Sequence, residues 1–141
     1  MRPARPDEYD ELTRIWRAAV EATHDFVTPA EIAGWEARMR TEFLPAVELF
    51  VAVDAGDRPA GFIGMDGEKI EMLFVDPAHH GEGIGRRLVE SVATGRPSLR
   101  VDVNEENMGA VAFYWKIGFR PAGRSELDSE GRPHPLLHLT R

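Results

Sequence analysis

Cysteine is absent from this sequence of 141 residues. Its absence excludes a disulfide framework, a cysteine nucleophile and thiolate metal ligands, so covalent catalysis would have to use another residue. Long hydrophobic runs are absent as well, because no stretch approaches the roughly 20 apolar residues of a membrane span. The N-terminal segment also lacks the apolar region of a signal peptide. We therefore expect a soluble cytoplasmic protein with no membrane partner.

An excess of positive charge is the third feature that the sequence lacks. It has 24 acidic residues against 17 lysines and arginines, which gives a formal net charge of -7. Proteins that bind nucleic acids need clustered Lys and Arg to neutralise phosphates, so we expect no nucleic-acid partner. The negative charge suits an acceptor that carries positive charge, but net charge alone does not identify one.

The composition that is present is typical of a globular protein, with 43% apolar and 29% charged residues. A chain of this length can bury roughly 70% of the surface that it exposes when unfolded, which is enough for a core. It contains no internal repeat, linker or low-complexity segment. We therefore predict one domain over residues 1–141, as either a monomer or a homodimer.

Apolar residues at helical spacing predict an amphipathic helix over residues 7–23. A second helix, over residues 29–43, is indicated by its start: Thr28 is a candidate N-cap, Pro29 takes the first helical position, and Glu31 completes a capping box. The same periodicity predicts two further helices, over residues 86–94 and 107–117.

The apolar period changes from about 3.6 to about 2 between these helices, which indicates strands. The first three strands are joined by the turn-forming sequences AGDR and DGE, and connections this short require antiparallel neighbours. The predicted strands cover residues 49–53, 60–65, 70–75, 99–103, 119–126 and 135–139, of which the last two form a hairpin about the turn DSEG.

Helices that lie before and after a run of hairpin-linked strands do not match the alternation of a doubly wound parallel sheet. We therefore predict an α+β fold of three layers. A mixed, mostly antiparallel sheet of six to seven strands should pack against about four helices. The strands at residues 70–75 and 99–103 should be parallel, because a crossover helix connects them.

A glycine-rich loop, HHGEGIG at residues 79–85, stands between a predicted strand and a predicted helix. Unpaired N–H groups and the positive end of the helix dipole favour an anion at such a position. The dinucleotide fingerprint GxGxxG does not fit, since Arg86 or Leu88 stands where its last glycine is required. A Walker A loop does not fit either, because no GK pair is followed by Ser or Thr.

The segment HGEGIG, residues 80–85, resembles the pyrophosphate-binding loop of the GNAT superfamily of acyl-CoA-dependent N-acetyltransferases. The motif of that loop is Arg or Gln, two residues, Gly, one residue, and Gly or Ala. The segment NMGAVAFYWKIGF, residues 107–119, resembles a second motif of the same family. The order of predicted elements also matches along nearly the whole chain, and the segments ATHDFV, VNEEN and GRSELDSEGRPHPLL look most like the small bacterial YjaB-type acetyltransferases.

The resemblance implies an N-acetyltransferase in which a primary amine attacks acetyl-CoA directly, without an acyl-enzyme. It also implies that the strands at residues 70–75 and 99–103, the fourth and fifth strands of the family fold, splay apart. Main-chain groups of residues 73–75 would then bind the pantetheine arm like an added strand, and loop amides would hold the pyrophosphate. The residues that the resemblance implies as cofactor contacts are Leu73, Phe74, Val75, His80, Gly81, Gly83, Ile84, Gly85, Arg86, Asn107 and Tyr114.

His80 departs from the family pattern, because it stands where the family usually has Arg or Gln. We expect this change to modify the affinity and its pH dependence rather than abolish binding, since backbone N–H groups hold most of the anion. Tyr114 matches the tyrosine that can donate a proton to the departing thiolate in the family. Asn107 matches an asparagine that contacts pantetheine, and it is also a candidate helix N-cap.

The attacking amine must lose a proton before its lone pair can reach the thioester. Glu71 is the predicted base, because strand alternation would put it on the same face as Leu73 and Val75. Glu68 is the alternative, and a water chain to either carboxylate is a further one.

The acceptor pocket of the family is built partly between the first two helices, so we expect His24 and Phe26 to line it, with Trp35 above them. A local hydrogen-bonding role for His24 is the alternative. The adjacent His79 and His80 could suggest a metal, but neighbouring loop residues rarely share one, and no carboxylate is spaced to complete the site. We therefore expect no metal.

Two rival functions stay open at this point. One is a non-catalytic module that binds or senses acyl-CoA, and the other is a binder of a different nucleotide. The acceptor itself, a small molecule or a peptide amine, is not identified by any segment of the sequence.

Overall fold

The computed structural model describes residues 1–23 and 27–141. Within these residues the strands are β1 (Arg2–Pro3), β2 (Glu48–Val53), β3 (Pro59–Asp66), β4 (Lys69–Val75), β5 (Arg100–Asn104), β6 (Arg120–Ser125) and β7 (Leu136–Thr140). The α-helices are α1 (Tyr9–Thr23), α2 (Pro29–Arg38), α3 (Ile84–Ala93) and α4 (Met108–Lys116). None of the helices in this described part of the chain is long and apolar enough to cross a membrane.

The strands form one sheet in the order β1-β2-β3-β4-β5-β7-β6. Neighbouring strands are antiparallel except β4 and β5, which are parallel and are connected through α3. The predicted mixed sheet of six to seven strands, with its parallel central pair, is therefore confirmed. The sequence did not show that β7 would lie between β5 and β6, because a hairpin can join a sheet through either of its strands.

Helices cover both faces of the sheet, which gives the predicted three layers. Leu12 and Ile15 of α1 pack with Phe62 of β3 in a cluster on one face. Leu88 and Val89 of α3 belong to a second cluster on the other face. Alternation along β3 explains the division, because Phe62 belongs to the first cluster and the adjacent Ile63 belongs to the second.

The second helix begins as predicted and ends differently. The Thr28 side chain accepts a hydrogen bond from the Glu31 N–H at 3.1 Å, and a Glu31 carboxylate oxygen accepts one from the Thr28 N–H at 3.0 Å. After Arg38, however, the chain winds as a π-helix over Met39–Phe43, closed by a bond from the Leu44 N–H to the Met39 carbonyl at 2.8 Å. Met39 and Leu44 are both fully buried. The predicted continuous α-helix over residues 29–43 is therefore wrong in its last five residues.

Candidate active site

The parallel strands β4 and β5 pair along only a short part of their length. Lys69 pairs with Arg100 and Ile70 pairs with Val101, although β4 continues to Val75. Beyond Ile70 the strands separate, as the family resemblance implied. The main-chain groups of β4 that face β5 therefore lose their sheet partners along this stretch.

A cavity of about 1100 Å³ opens at this separation. One wall is β4 with the glycine loop, and the other is β5 with α4. Its lining includes residues 70–75, 79–81, 83–86, 101–104, 106–110, 113, 114, 116 and 117. Every residue that was predicted to contact the cofactor lines this cavity, and so does Glu71.

The glycine loop presents a row of backbone amides to the cavity. Gly81 and Gly83 have φ angles of 82° and 76°, which favour glycine because other residues have a Cβ that clashes there. None of the amides of residues 81–86 has a backbone hydrogen-bond partner among the described residues, and the first helical bond runs from the Arg87 N–H to the Gly83 carbonyl at 3.1 Å. Unpaired donors at the start of a helix are groups to which an anion can bind, so the geometry of the loop suits one.

Gly85 serves a different purpose from the two glycines before it. A Cβ at this position would lie 3.2 Å from Cζ of Phe113 on α4. The missing side chain therefore lets α3 and α4 approach each other beside the cavity. The alternating glycines of the loop thus combine two functions, backbone conformation at Gly81 and Gly83 and close packing at Gly85.

His80 reaches back toward β4. Its Nε2 lies 3.3 Å from the carbonyl oxygen of Val75, while its side chain is exposed at the cavity wall. The neighbouring His79 contacts the Glu82 carboxylate, with Nδ1 at 3.2 Å from Oε2. The two imidazoles therefore have different partners. No cluster of three or more metal-ligating side chains occurs within residues 1–23 and 27–141.

Tyr114 of α4 is buried between the rings of Phe113 and Phe119, with ring-centroid distances of 5.1 and 5.2 Å. Burial raises the pKa of Tyr114 well above its usual value, because the charged phenolate would be poorly solvated. The phenol therefore stays protonated at neutral pH. A protonated hydroxyl at the wall of the cavity is able to donate a hydrogen bond or a proton.

Asn107 caps α4, as its position before the helix indicated. Its Oδ1 accepts a hydrogen bond from the Ala110 N–H at 3.1 Å. The residue also lines the cavity, so its location fits both roles that the sequence left open, a helix cap and a contact to pantetheine. Its contact with pantetheine stays a prediction.

Glu71 lies at an irregularity of β4 that sequence alternation did not predict. The pairing of β4 with β3 steps from Met65–Ile70 to Gly64–Met72, which leaves Glu71 without an opposite residue. Such a bulge resets the alternation of faces. Ile70 and Leu73 consequently pack in the same cluster, although a regular strand would separate them. Regular alternation therefore does not establish that Glu71 shares the face of Leu73 and Val75, although all three residues line the cavity.

Two charged residues that the sequence analysis missed lie beside Glu71. The Lys69 ammonium contacts Glu71 Oε1 at 3.3 Å and Asp102 Oδ2 at 3.0 Å. Burial lowers the pKa of Lys69, but the hydrogen bond and the charge of Asp102, reinforced by Glu71, outweigh burial and raise the pKa. The alternation of LRVDV could have identified Asp102, because it places this carboxylate on the face opposite to Val101 and Val103.

Asp102 begins a chain of polar contacts that crosses from β5 through β7 to β6. Its Oδ1 lies 2.6 Å from Nδ1 of His138 on β7, whose Nε2 lies 2.7 Å from Oγ of Ser125 on β6. Burial raises the pKa of Asp102, but hydrogen bonds from His138 and Lys69 outweigh it, and the pKa lies below its usual value. The carboxylate at the cavity wall is therefore ionised and held in place.

The predicted acceptor residues are placed less completely than the predicted cofactor contacts. Trp35 is half-buried on α2 and does not line the cavity; the guanidinium of Arg132 lies 5.4 Å from its ring centre. His24 and Phe26 lie outside the described residues. On the same side of the molecule, His134 contacts Glu31 at 2.7 Å and Glu106 at 3.2 Å. No local pattern indicated this triad, because its members are far apart in the sequence.

Comparisons with known proteins agree on one family. Residues 12–135 match the family model described as the acetyltransferase (GNAT) domain. The chain is 47% identical over 139 residues to the peptidyl-lysine N-acetyltransferase YjaB of Salmonella typhimurium, with 99% of this chain and 95% of the relative covered. It is 45% identical to the Escherichia coli protein of the same name, with 99% and 94% covered.

The fold comparison gives the same result. The solution structure of apo YjaB from Escherichia coli superposes with a TM-score of 0.92 at 45% identity, covering 99% of this chain and 94% of that one. The resemblance to YjaB-type acetyltransferases that the sequence motifs indicated is therefore confirmed.

Proposed function

Since the chain belongs to the GNAT family of acetyltransferases, we propose that it moves the acetyl group of acetyl-CoA to the ε-amine of a lysine in a peptide or protein. The observation that carries the proposal is the separation of β4 from β5, with unpaired loop amides at the cavity wall. The lysine acceptor is supported by the two YjaB relatives, which are peptidyl-lysine acetyltransferases by name.

The residues of the cavity fit an acyl-CoA in three ways. The unpaired amides of residues 81–86 suit the negatively charged pyrophosphate. The open main-chain edge of Leu73, Phe74 and Val75 suits the amide groups of the pantetheine arm, because these can hydrogen-bond like a further strand. The position of Asn107 at the start of α4 suits a side-chain contact to the same arm.

The proposed reaction is a direct transfer within a complex of both substrates. The amine loses a proton, with Glu71 as the proposed base, and its lone pair attacks the thioester carbonyl. The bond from carbon to sulfur then breaks, and the hydroxyl of Tyr114 donates a proton to the departing thiolate. The second proton that the nitrogen loses on becoming a neutral amide returns the phenolate to a phenol. The absence of cysteine agrees with a mechanism that forms no acyl-enzyme.

The environment of each group suits its proposed role. The ammonium of Lys69 lies 3.3 Å from Oε1 of Glu71, so an ion pair holds this side chain next to the cavity. The burial of Tyr114 keeps its phenol protonated until the thiolate requires a proton. The proposed base and the protonated proposed acid therefore line the same cavity.

The test combines binding with product analysis. Calorimetry should show that acetyl-CoA binds, whereas ATP and NAD should neither bind nor raise the melting temperature. Mass spectrometry should then show acetylation of the lysine in a peptide whose α-amine is blocked. A panel of small amines assayed for CoA release defines the range of acceptors.

The outcomes distinguish the rival functions. Failure to bind acetyl-CoA at millimolar concentration would contradict the proposal entirely. Binding without acetylation of the peptide or of any amine in the panel would identify a sensing module. Acetylation of small amines but of no peptide would contradict the lysine-peptide acceptor alone.

A further inference from the structure

Lysine is scarce in this protein. Only Lys69 and Lys116 are lysines among its 17 lysine and arginine residues. If the protein acetylates lysine side chains, as proposed above, only two ε-amines of its own are available as acceptors. The structure places these two amines in very different surroundings.

The ion pairs of Lys69 protect its amine from acetylation. Its side chain is 28% exposed, and its ammonium lies between the carboxylates of Glu71 and Asp102. The raised pKa of Lys69 means that the proton is held more firmly than on a free lysine. A protonated amine has no lone pair with which to attack a thioester, so Lys69 is a poor acceptor.

Lys116 has none of this protection. It is the last residue of α4, its side chain is exposed, and it makes no ion pair or hydrogen bond with any residue in the described part of the chain. It also lines the cavity that contains the glycine loop and Tyr114. Lys116 is therefore an accessible lysine beside the site at which acetyl-CoA is proposed to bind.

We infer that Lys116 is a self-acetylation site and that its acetylation weakens the binding of acetyl-CoA. The inference rests on the proposed function. The Lys116 nitrogen forms a bond to the acetyl carbon, and the bond from that carbon to sulfur breaks. The proton released by the amine passes to the thiolate, which leaves as free CoA thiol. The resulting amide is neutral, so the cavity wall loses a positive charge that attracts the phosphates of the cofactor.

The first experiment locates the modification. The full chain is incubated with acetyl-CoA alone, digested and mapped by mass spectrometry, and a lysine peptide with a blocked α-amine is acetylated in a parallel sample. We expect Lys116 to be acetylated and Lys69 to stay unmodified within the same molecule. Lys116→Arg, which keeps the charge but has no amine to acetylate, should lose the modification.

Three results would overturn the self-acetylation site. Lys116 could stay unmodified while the peptide is acetylated, which would leave the proposed function intact. The acetyl group could instead be found on Lys69 or only on the amino group of Met1. If neither the chain nor the peptide is acetylated, both the inference and the proposed function fail.

The second experiment measures the consequence. After incubation and removal of the cofactor, the Kd for acetyl-CoA should rise about two- to fivefold, which is the range expected for the loss of one exposed charge interaction. Lys116→Arg treated in the same way should show no change between the samples before and after incubation. An acetylated protein with an unchanged Kd would overturn the regulatory consequence.

Discussion

Ile70 of β4 and Val101 of β5 form the last residue pair between these two strands. Beyond it β4 runs on to Val75 with one edge open to the cavity, and the glycine loop follows directly. The end of strand pairing therefore creates both the space for an extended ligand and the unpaired main-chain groups that would bind it. The predictions below test the residues around this opening.

Replacement of Tyr114 by Phe should lower kcat at least about 100-fold, because a general acid contributes roughly that much and Phe has no proton to donate. The Kd for acetyl-CoA should change less than about twofold, since the ring packing with Phe113 and Phe119 is retained. Steady-state kinetics and calorimetry measure the two quantities.

Tyr9→Phe is the matched control for this substitution. Tyr9 is the only other tyrosine, and it starts α1 away from the cavity lining. Its replacement should leave kcat unchanged. Normal turnover in Tyr114→Phe would show that another group protonates the thiolate.

Glu71→Gln should lower kcat/KM by about 100-fold, because an amide cannot take the proton of the attacking amine. Glu68→Gln provides the control, because its carboxylate accepts a hydrogen bond from the Ser98 hydroxyl at 2.7 Å and does not line the cavity. Steady-state kinetics of both variants decide between the two carboxylates. A larger loss in Glu68→Gln, or equal losses, would refute the assignment of Glu71.

Gly83→Ala and Gly131→Ala form a second matched pair. Both glycines have a φ angle of 76°, and no atom lies within 4 Å of the Cβ that Ala would add at either position. Each substitution should cost about 1–2 kcal/mol of folding free energy through backbone strain. Thermal unfolding should therefore show similar destabilisation in the two variants.

Only Gly83→Ala should also weaken acetyl-CoA binding, by about tenfold, because the strained backbone would misplace amides that bind the pyrophosphate. Calorimetry on both variants measures this difference. An equal affinity in the two variants would mean that the glycine loop serves only to turn the chain.

His134→Gln should destabilise the protein by about 1 kcal/mol at pH 5.5 and by less as the pH rises. The hydrogen bond to Glu31, opposed by burial and assisted by Glu106, raises the pKa of His134 above its ordinary value. The stabilisation is therefore complete below the pKa of the unfolded chain, about 6.5. It is lost as the pH rises through the folded pKa.

Denaturant unfolding of both proteins between pH 5 and pH 9 measures this trend. Glu106→Gln removes the longer of the two contacts, at 3.2 Å, so its effect should have the same sign and be smaller. A difference in stability that grows with pH would contradict the raised pKa of His134.

The sequence was sufficient for features that arise from neighbouring residues. The capping box at Thr28 and Glu31 follows from local hydrogen bonding, and the φ angles of Gly81 and Gly83 follow from the conformational freedom of glycine. The second family motif around Tyr114 made the family assignment specific. These signals predicted the fold class, the cofactor cavity and its family.

The bulge at Glu71 had no signal in the sequence, because it depends on how β3 pairs with β4. The contact of Lys69 with Asp102 and the contact of His138 with Ser125 each join side chains on different strands, which only the order of the strands brings together. The π-helical end of the second helix likewise depends on the burial of Met39 and Leu44.

The sequence by itself thus determined the periodicity of the elements, the conformation of the glycine loop and the family of the enzyme, since each depends on residues close together in the chain. The tertiary structure decided where β4 leaves β5, where β4 bulges and which charges hold Lys69 and His134. The physical reason is that strand register and charge pairing depend on groups far apart in sequence, and these interact only after the chain has folded.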